Sequence, residues 1–379
     1  MKIGIDVRPL LEKDAGGISV YTEKIIANLL RIDTQNEYLL FSNSYKKNKS
    51  NVENRFSESN AEMKSFSYPN KFLNASFRFL NKPKIDRILG GVDIFFAPNI
   101  NFLAISSKIK KVISLHDLSF LLYPNFYSTK GRFWHKAINV KKLVEQFDRI
   151  IAVSEHTRND ILDILNVDDD KVVKIYPGVD SQFYSNGDDE TRNSIRMKYN
   201  LPKNFILSLA ALEPRKNIEM VIEAFEKFNS NCDTHLVLVG AALGSEQQIN
   251  KLISEKGLDE HIHLLGYIPT KDKPALYQLA DCFVYPSFYE GFGFPPLEAM
   301  SSGTPVIASY SSSLAEICGN SALLIDPHNV EELVEAFRHV LNNKEYAEGL
   351  SQRGKNQSAK FTWENSAKET LNLFQSLVL

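Results

Sequence analysis

A rhythm constrains this chain more than any single motif: a short β-branched run, a loop and an amphipathic helical stretch recur along it, in two successive series. In the first series the strand-like runs are residues 2–7, 38–42, 94–97, 111–115, 149–153 and 171–175, with helical periodicity over 19–32, 133–147 and 155–165. In the second they are 205–210, 235–239, 262–266, 282–287, 305–308 and 322–325, with helices after Asn217, Ser245, Lys273, Pro295, Asn329 and Thr362. Such alternation predicts parallel sheets, right-handed crossovers and helices on both faces. At 379 residues the chain exceeds one ordinary core, so each series reads as its own domain. The join falls in residues 178–200, where the turn-rich PGVDSQFYSNGDDE leads into a new helix. The predicted domains are therefore 1–180 and 181–357. Doubly wound sheets bind ligands at the carboxyl ends of their strands, so two such domains facing each other predict a cleft. The tail, FTWENSAKETLNLFQSLVL, sets Ala367, Leu371, Phe374 and Val378 on one helical face that can pack on either domain.

Composition excludes several classes. Apolar residues at 43% and charged residues at 24% suit a soluble globular protein and rule out a fibrous or disordered chain. The net charge of −2 conceals an uneven distribution: residues 1–180 hold 27 Lys and Arg against 21 Asp and Glu, the remainder 17 against 25. A basic first half suits an anionic surface such as a phospholipid headgroup layer, and equally an ordinary solvated face. Cys232, Cys282 and Cys318 form neither an even set nor a CxxC pair, which argues for a reducing compartment and against a zinc site. The opening MKIGIDVRPLL reads as a buried first strand and not as a signal peptide. No apolar run approaches the roughly 20 residues that span a bilayer. The expected location is the cytoplasm, at most at the inner face of the membrane.

The most specific segment is YPSFYEGFGFPPLEAMSSGTPVIAS. A strand ends near Ser287, a glycine-rich loop follows, and Pro295 and Pro296 begin a short helix that Gly303 ends. Glu290, Gly291 and Gly293 lie in the loop, and Glu298 is placed in the first turn of the helix. Glycines let backbone N–H groups approach a ligand, helix N-termini attract anions, and two nearby carboxylates can accept hydrogen bonds from sugar hydroxyls. Taken singly, Glu298 also suits the helix dipole and Glu290 a turn cap. A second segment, FILSLAALEPRKNIEMVIEAFEKF, runs a buried strand into Arg215 and Lys216, then a helix with Asn217 as its predicted cap. A planar guanidinium beside a compact ammonium at a helix N-terminus can neutralise a diphosphate without a metal. Alone, an Arg-Lys pair is equally a solvated surface feature.

Together EGFGFPPLE and LEPRKN resemble the E-x7-E motif and the donor-diphosphate loop of the retaining glycosyltransferases of family 4, which have the GT-B fold. The likeness runs through GGISVYTEKI, SLHDLSFLLYP, IIAVSEHTRNDI and YPGVD, over nearly the whole chain. It implies an α/β architecture of two Rossmann-like domains facing across a cleft. The acceptor site would lie mainly in the first and the donor site mainly in the second. A C-terminal helix, about residues 358–379, would cross back to the first domain. Glu290 would then bind hydroxyls of the transferred sugar and Glu298 the ribose of the nucleotide. The backbone of Gly291, Phe292 and Gly293 would line sugar and phosphate, and Arg215 and Lys216 would hold the diphosphate. Gly16 and Gly17, in the loop after the first strand, would let the first domain close onto the phosphates. His116 would sit near the sugar's C6 hydroxyl or the reacting centre, and the base-binding position falls near Tyr267.

Three further features keep two readings each. His116 ends an apolar strand and precedes Asp117, which can orient it or cap a turn, so by position alone it is structural or functional. The stretch FLLYPNFYSTKGRFWHKAINVKK interleaves Phe120, Tyr123, Phe126, Tyr127, Phe133 and Trp134 with Lys130, Arg132, Lys136, Lys141 and Lys142. That mixture suits a headgroup interface, a lipid-linked acceptor or a partly buried loop and helix; no RNA-binding motif accompanies it, so no nucleic-acid partner is expected. Asp168, Asp169 and Asp170 match D-x-D formally, but they lie between a helix end and a strand start, where turns are ordinary.

The resemblance thus implies a metal-independent, retaining transfer of a hexosyl unit from a nucleotide-sugar to a glycan or lipid-linked acceptor, by front-face substitution and with no cofactor. The form of LEPRKN and HDLSFLLYP looks closest to bacterial mannosyltransferases of polysaccharide and O-antigen assembly, which favours GDP-mannose over UDP-sugars as donor. A nucleotide-sugar epimerase on the same fold is the alternative. An NAD-dependent oxidoreductase is disfavoured because no strand leads into GxGxxG.

Overall fold

A computed structural model describes residues 1–11, 16–45, 55–56, 60–185, 187–229, 233–241 and 246–378. The chain divides into two compact units, Met1–Gly178 with Thr362–Leu379, and Val179–Phe361.

Unit 1 is built on a seven-stranded parallel sheet of β1 (Lys2–Asp6), β2 (Glu37–Asn43), β3 (Ala61–Phe66), β4 (Ile94–Ala97), β5 (Lys110–Leu115), β6 (Arg149–Ala152) and β7 (Val172–Lys174), in the order β3-β2-β1-β4-β5-β6-β7. Helices cover both faces, so a central strand such as IFFA in β4 is apolar throughout and wholly buried. Strand β3 was not anticipated. It is an edge strand of sequence AEMKSF, half-buried, and its charged residues leave no apolar run to read.

Unit 2 carries β8 (Phe205–Leu209), β9 (His235–Val239), β10 (Ile262–Gly266), β11 (Cys282–Tyr285), β12 (Val306–Ser309) and β13 (Leu323–Ile325), all parallel, in the order β10-β9-β8-β11-β12-β13. Both orders reverse direction beside their first strand. The topological switch point therefore lies between β1 and β4 in unit 1 and between β8 and β11 in unit 2, and such points are where doubly wound sheets hold ligands.

The helices differ from expectation in several places. The helix expected over 133–147 is two, Thr129–Ile138 and Val140–Val144, because Asn139 takes a left-handed φ of 53° between them. A helix at Asn70–Ala75, continued by the π-turn Ser76–Leu80, was not foreseen. Nor were Ser313–Cys318 and Lys344–Ser358. The C-terminal helix, Trp363–Val378, buries Trp363, Ser366, Ala367, Thr370, Leu373 and Phe374. Its inward face is thus rotated from the predicted one, with Leu371 half-buried and Val378 exposed. Within unit 1, Trp363 stands 5.9 Å from Tyr21 and Phe374 5.4 Å from Phe96, ring to ring. Its entry needs glycine at 178, where a Cβ would fall 2.0 Å from the Trp363 nitrogen.

Cys282 and Cys318 are buried and free. Cys232 lies outside the described residues. Among the described residues no helix is long and apolar enough to cross a membrane.

Candidate functional site

The switch point of unit 2 gathers three of the residues singled out from the sequence. Beyond β8 the chain makes a 3-10 turn, Pro214–Lys216, and enters the helix Ile218–Phe228. Beyond β11 it forms the loop that carries Glu290 into the helix Phe294–Ser301. The two loops are sewn together by backbone: the Phe288 N–H donates to the Arg215 carbonyl at 2.9 Å. Asn217 does not cap its helix. It takes a left-handed φ of 59°, and its amide instead donates to the Pro286 and Pro327 carbonyls at 3.2 and 2.7 Å. Its task is to tie neighbouring loops to the end of β8.

Within this frame the Glu290 carboxylate receives donors on both oxygens. Lys216 Nζ, Ser287 Oγ and Tyr285 Oη reach Oε1 at 2.6, 2.6 and 3.0 Å, and Arg215 Nη1 reaches Oε2 at 2.9 Å. Glu290 and Lys216 are buried, 7% and 9% exposed. Burial by itself would raise the carboxyl's pKa, but the Arg215 and Lys216 charges and the Lys216 and Ser287 hydrogen bonds outweigh it and hold it at about 2. Burial, with Arg215 as a second cation, pulls the Lys216 ammonium below its ordinary value. Burial and the Glu290 charge keep Tyr285 protonated. The cluster is therefore a permanently ionised carboxylate shared between two cations. The pairing was not foreseen: the sequence reading assigned the carboxylate to sugar and the cations to diphosphate as separate tasks.

The loop itself is rigidly held. Glu290 N–H donates to Ser312 Oγ at 2.8 Å, and Ser313 Oγ lies 2.9 and 2.8 Å from the Glu290 and Phe292 carbonyls. Gly293 has φ 113°, and a Cβ there would meet Leu314 at 2.7 Å, so only glycine opens this helix. Gly291 is buried, and the Phe292 ring is buried against Phe294 and Phe361 at 5.1 and 5.8 Å. Glu298 lies in the second turn of the helix, not the first, and no acidic residue occupies the first turn. Its carboxylate accepts from buried Tyr277 Oη at 3.0 Å, with Lys273 Nζ 4.0 Å away. Tyr267, just beyond β10, is 63% exposed.

The other candidates belong to unit 1. His116 ends β5 half-buried, and its Nε2 donates to the Pro98 carbonyl at 2.8 Å, which leaves the lone pair on Nδ1 in the neutral ring. Burial lowers its pKa, so the neutral form prevails at pH 7. Tyr21 packs edge-on against it at 4.7 Å. Asp117 caps a turn, accepting from the Ser119 N–H and hydroxyl at 2.9 and 2.6 Å. Gly16 precedes the helix Gly17–Ile32, so Gly17 is its first residue and not part of a loop. Residues 12–15 lie outside those described. Asp169 pairs with Arg158, and Asp169–Lys171 forms a 3-10 turn. Among the described residues no group of three or more His, Cys, Asp or Glu is arranged to hold a metal ion.

Two family profiles match the chain, Glycosyltransferase Family 4 over residues 15–183 and Glycosyl transferases group 1 over residues 191–357. Over 272 residues it is 32% identical to the O-antigen chain mannosyltransferase B of Escherichia coli, a match covering 71% of each protein. The chain belongs to glycosyltransferase family 4. This glycosyltransferase is also 32% identical over 277 residues to the serotype-specific mannosyltransferase WbdA of Escherichia coli, covering 71% of the chain but only 34% of WbdA. Its fold is similar to HepE of Anabaena, solved with UDP and glucose, at a TM-score of 0.78 and 19% identity over 99% of this chain and 100% of that one. Sucrose-phosphate synthase of Thermosynechococcus elongatus gives a TM-score of 0.78 at 20% identity, over 100% and 99%. At such identities the likeness speaks for the fold alone, which is GT-B.

Five polar residues of the glycosyltransferase's site escaped sequence reading: Tyr285, Ser287, Ser312, Ser313 and Tyr277. Tyr285 and Ser287 stand five and three positions before Glu290 at the end of a buried strand. Polar side chains there are a legible signal, because a strand buried on both faces otherwise has no use for them.

Proposed function

We propose that this glycosyltransferase moves a mannosyl unit from GDP-mannose to a glycan or lipid-linked acceptor, with retention and without a metal, in cell-surface polysaccharide or O-antigen assembly at the inner face of the membrane. Unit 1 would hold the acceptor and unit 2 the donor. The observation that carries the donor assignment is the Arg215–Lys216–Glu290 cluster at the switch point of unit 2. Two cations share one carboxylate there, and Lys216 has engaged two of its three ammonium protons, on Tyr285 and Glu290. A donor diphosphate would compete with Glu290 for those cations. As it draws them, the carboxylate becomes available to sugar hydroxyls, so one cluster serves both halves of the donor. Charge developing on the leaving diphosphate meets donors already fixed in a dry site, where they act most strongly. Glu298 would take the ribose, Tyr267 would lie beside the base, and the backbone of Gly291, Phe292 and Gly293 would line sugar and phosphate. In unit 1, His116, Gly16 and Gly17 would have the roles that the family resemblance implies for them. Mannose is favoured by the names of the two Escherichia coli relatives.

The test is a panel of nucleotide-sugars incubated with the purified protein. Release of GDP from GDP-mannose, slow alone and faster with acceptor glycan, is the expected outcome, with an α-linked product by NMR. Release from UDP-sugars alone would move the donor assignment. Conversion of the sugar with the nucleotide still attached would replace transfer by epimerisation.

A further inference from the structure

Unit 1 carries an apolar surface that its described residues leave exposed. The helix Asn70–Ala75 and the π-turn Ser76–Leu80 are apolar on two sides. Leu73 and Phe77, four residues apart, face inward and are buried, whereas Phe72, Phe79 and Leu80 are 77%, 81% and 69% exposed. An element that exposes large apolar side chains on the side away from its buried ones presents a second apolar face to be covered. Isolated exposed apolar residues need no explanation, but three large ones on one short element do.

The charge around them is predominantly positive. Residues 67–85 hold Lys71, Arg78, Lys82 and Lys84 and no Asp or Glu, while residues 118–147 hold five Lys and Arg and a single acid, Glu145. The two stretches meet: Arg78 and Asn81 from the first and Lys142, Glu145 and Gln146 from the second line one cavity of about 330 Å³. Phe133, 74% exposed, stands on the helix whose Ile138 lines the same cavity. The aromatic residues singled out in 120–134 are otherwise largely engaged inside. Phe120 is buried and stacked on His135 at 4.2 Å, Tyr127 is hydrogen-bonded to Ser119, and Trp134 packs edge-on against Phe102 at 6.4 Å.

We propose that this face, centred on residues 70–82, docks the protein on an anionic lipid bilayer. Phe72, Phe79 and Leu80 enter the boundary between headgroups and acyl chains, and Lys71, Arg78, Lys82 and Lys142 meet lipid phosphates. A second copy of the chain answers the apolar patch but not its charge, since two such faces would bring cationic rims together. Docking draws its use from the membrane-borne acceptor proposed above. Lipid vesicles alone test it, so its failure leaves the transferase reading untouched.

The experiment is flotation of the full chain with vesicles of phosphatidylcholine, or of phosphatidylcholine with roughly one-third phosphatidylglycerol, at low salt. The protein should float with the anionic vesicles and hardly with the neutral ones. Phe79→Ser with Leu80→Ser should lower partition about tenfold, and Lys71→Glu with Lys82→Glu by at least that, at roughly fivefold per lost cation. Met197→Ser, at an equally exposed apolar position of the other unit, should change nothing. An unchanged melting temperature in all three variants assigns the losses to docking and not to folding. Should the serine variant not fold, the glutamate variant still decides. Wild-type protein that does not float with anionic vesicles, or variants that float as well as wild type, overturn the proposal. So does a dimer in solution that Phe79→Ser dissociates.

Discussion

The two units share one strand order over six strands, yet their switch points are filled on different principles. In unit 1, Arg8 just after β1 folds back on Asp6 through Nε and Nη2 at 2.8 and 2.7 Å. Nη2 also reaches the Phe102 carbonyl at 3.0 Å, and the guanidinium lies 5.3 and 5.7 Å from the Phe41 and Phe77 rings. One cation meets one carboxylate, bidentate and enclosed, with side chains 9% and 2% exposed. In unit 2 the carboxylate of Glu290 is divided between two cations, and the Glu213 carboxylate lies 3.5 Å from Arg215. A closed pair holds a fold. A carboxylate with two claimants can exchange one of them for a ligand. The same topology thus supplies a closed ion pair in one unit and, on the proposed reading, an exchangeable one in the other.

The largest effects should come from breaking each arrangement in turn. Glu290→Gln keeps the shape of the side chain but removes the charge that Arg215 and Lys216 share. Turnover is expected to fall at least about a hundredfold, as for loss of a group that acts in the transition state. Calorimetric affinity for nucleoside diphosphate should hold or rise, because the cations lose a competitor. Asp6→Asn should behave in the opposite way, costing on the order of 3–5 kcal/mol of stability as a broken buried pair. Its surviving folded fraction should keep the wild-type kcat. Equal effects of the two substitutions on kcat, or loss of diphosphate binding in Glu290→Gln, would erase the distinction between the two switch points.

Much of this was legible in the sequence, and the omissions have physical causes. Buried parallel strands announce themselves as continuous apolar runs, so HLVLV and IFFA could be placed without a structure. The half-wet edge strand at residues 61–66 has no such run. The outward phenylalanines at 72 and 79 interleave with inward Leu73 and Phe77, which removes the amphipathic stripe on which helix recognition depends. Asn217 has the residue type of a helix cap, but its left-handed backbone turns the amide elsewhere. The Lys216–Glu290 pair joins residues 74 positions apart, and no local pattern encodes such a meeting. By contrast the Asp6–Arg8 pair spans two residues and was open to reading. It was passed over because a lone Arg after a strand is unremarked until its enclosure is seen.

A smaller effect should separate the units by pH. Burial lowers the pKa of His116 from its ordinary 6.5, so the folded state resists protonating it. A lowered histidine contributes stability that is complete above the unfolded pKa and is lost as pH falls below about 6.5, at roughly 1.4 kcal/mol for each unit of separation. Glu290, held at about 2, contributes stability that persists down to far more acid conditions. The melting temperature should therefore decline between about pH 7 and pH 5, and part of that decline should disappear in His116→Gln. A profile unchanged by His116→Gln would place the acid sensitivity on other histidines, such as His135 or His263, which burial also lowers.

The smallest expected effect is none at all, and it bears on what the shared carboxylate in unit 2 is for. A leaving diphosphate carries charge that a divalent cation or fixed cationic side chains and helix ends can meet. Arg215 and Lys216 are fixed in this sense: the Arg215 carbonyl is tied to Phe288, and the Lys216 ammonium is held by Tyr285 and Glu290. On the proposed reading, diphosphate that displaces Glu290 would find both cations already oriented, and these with the neighbouring helix ends would stand in place of a metal ion. Turnover is accordingly expected to survive exhaustive EDTA treatment and to change by less than about twofold when manganese or magnesium is returned. Asp169→Asn should leave it equally unaffected, because Asp169 is engaged with Arg158 in a turn. Activity that EDTA abolishes and manganese restores would show that the two cations do not suffice. The exchange of Glu290 for diphosphate would then have to be replaced by a scheme in which the carboxylate stays where it is.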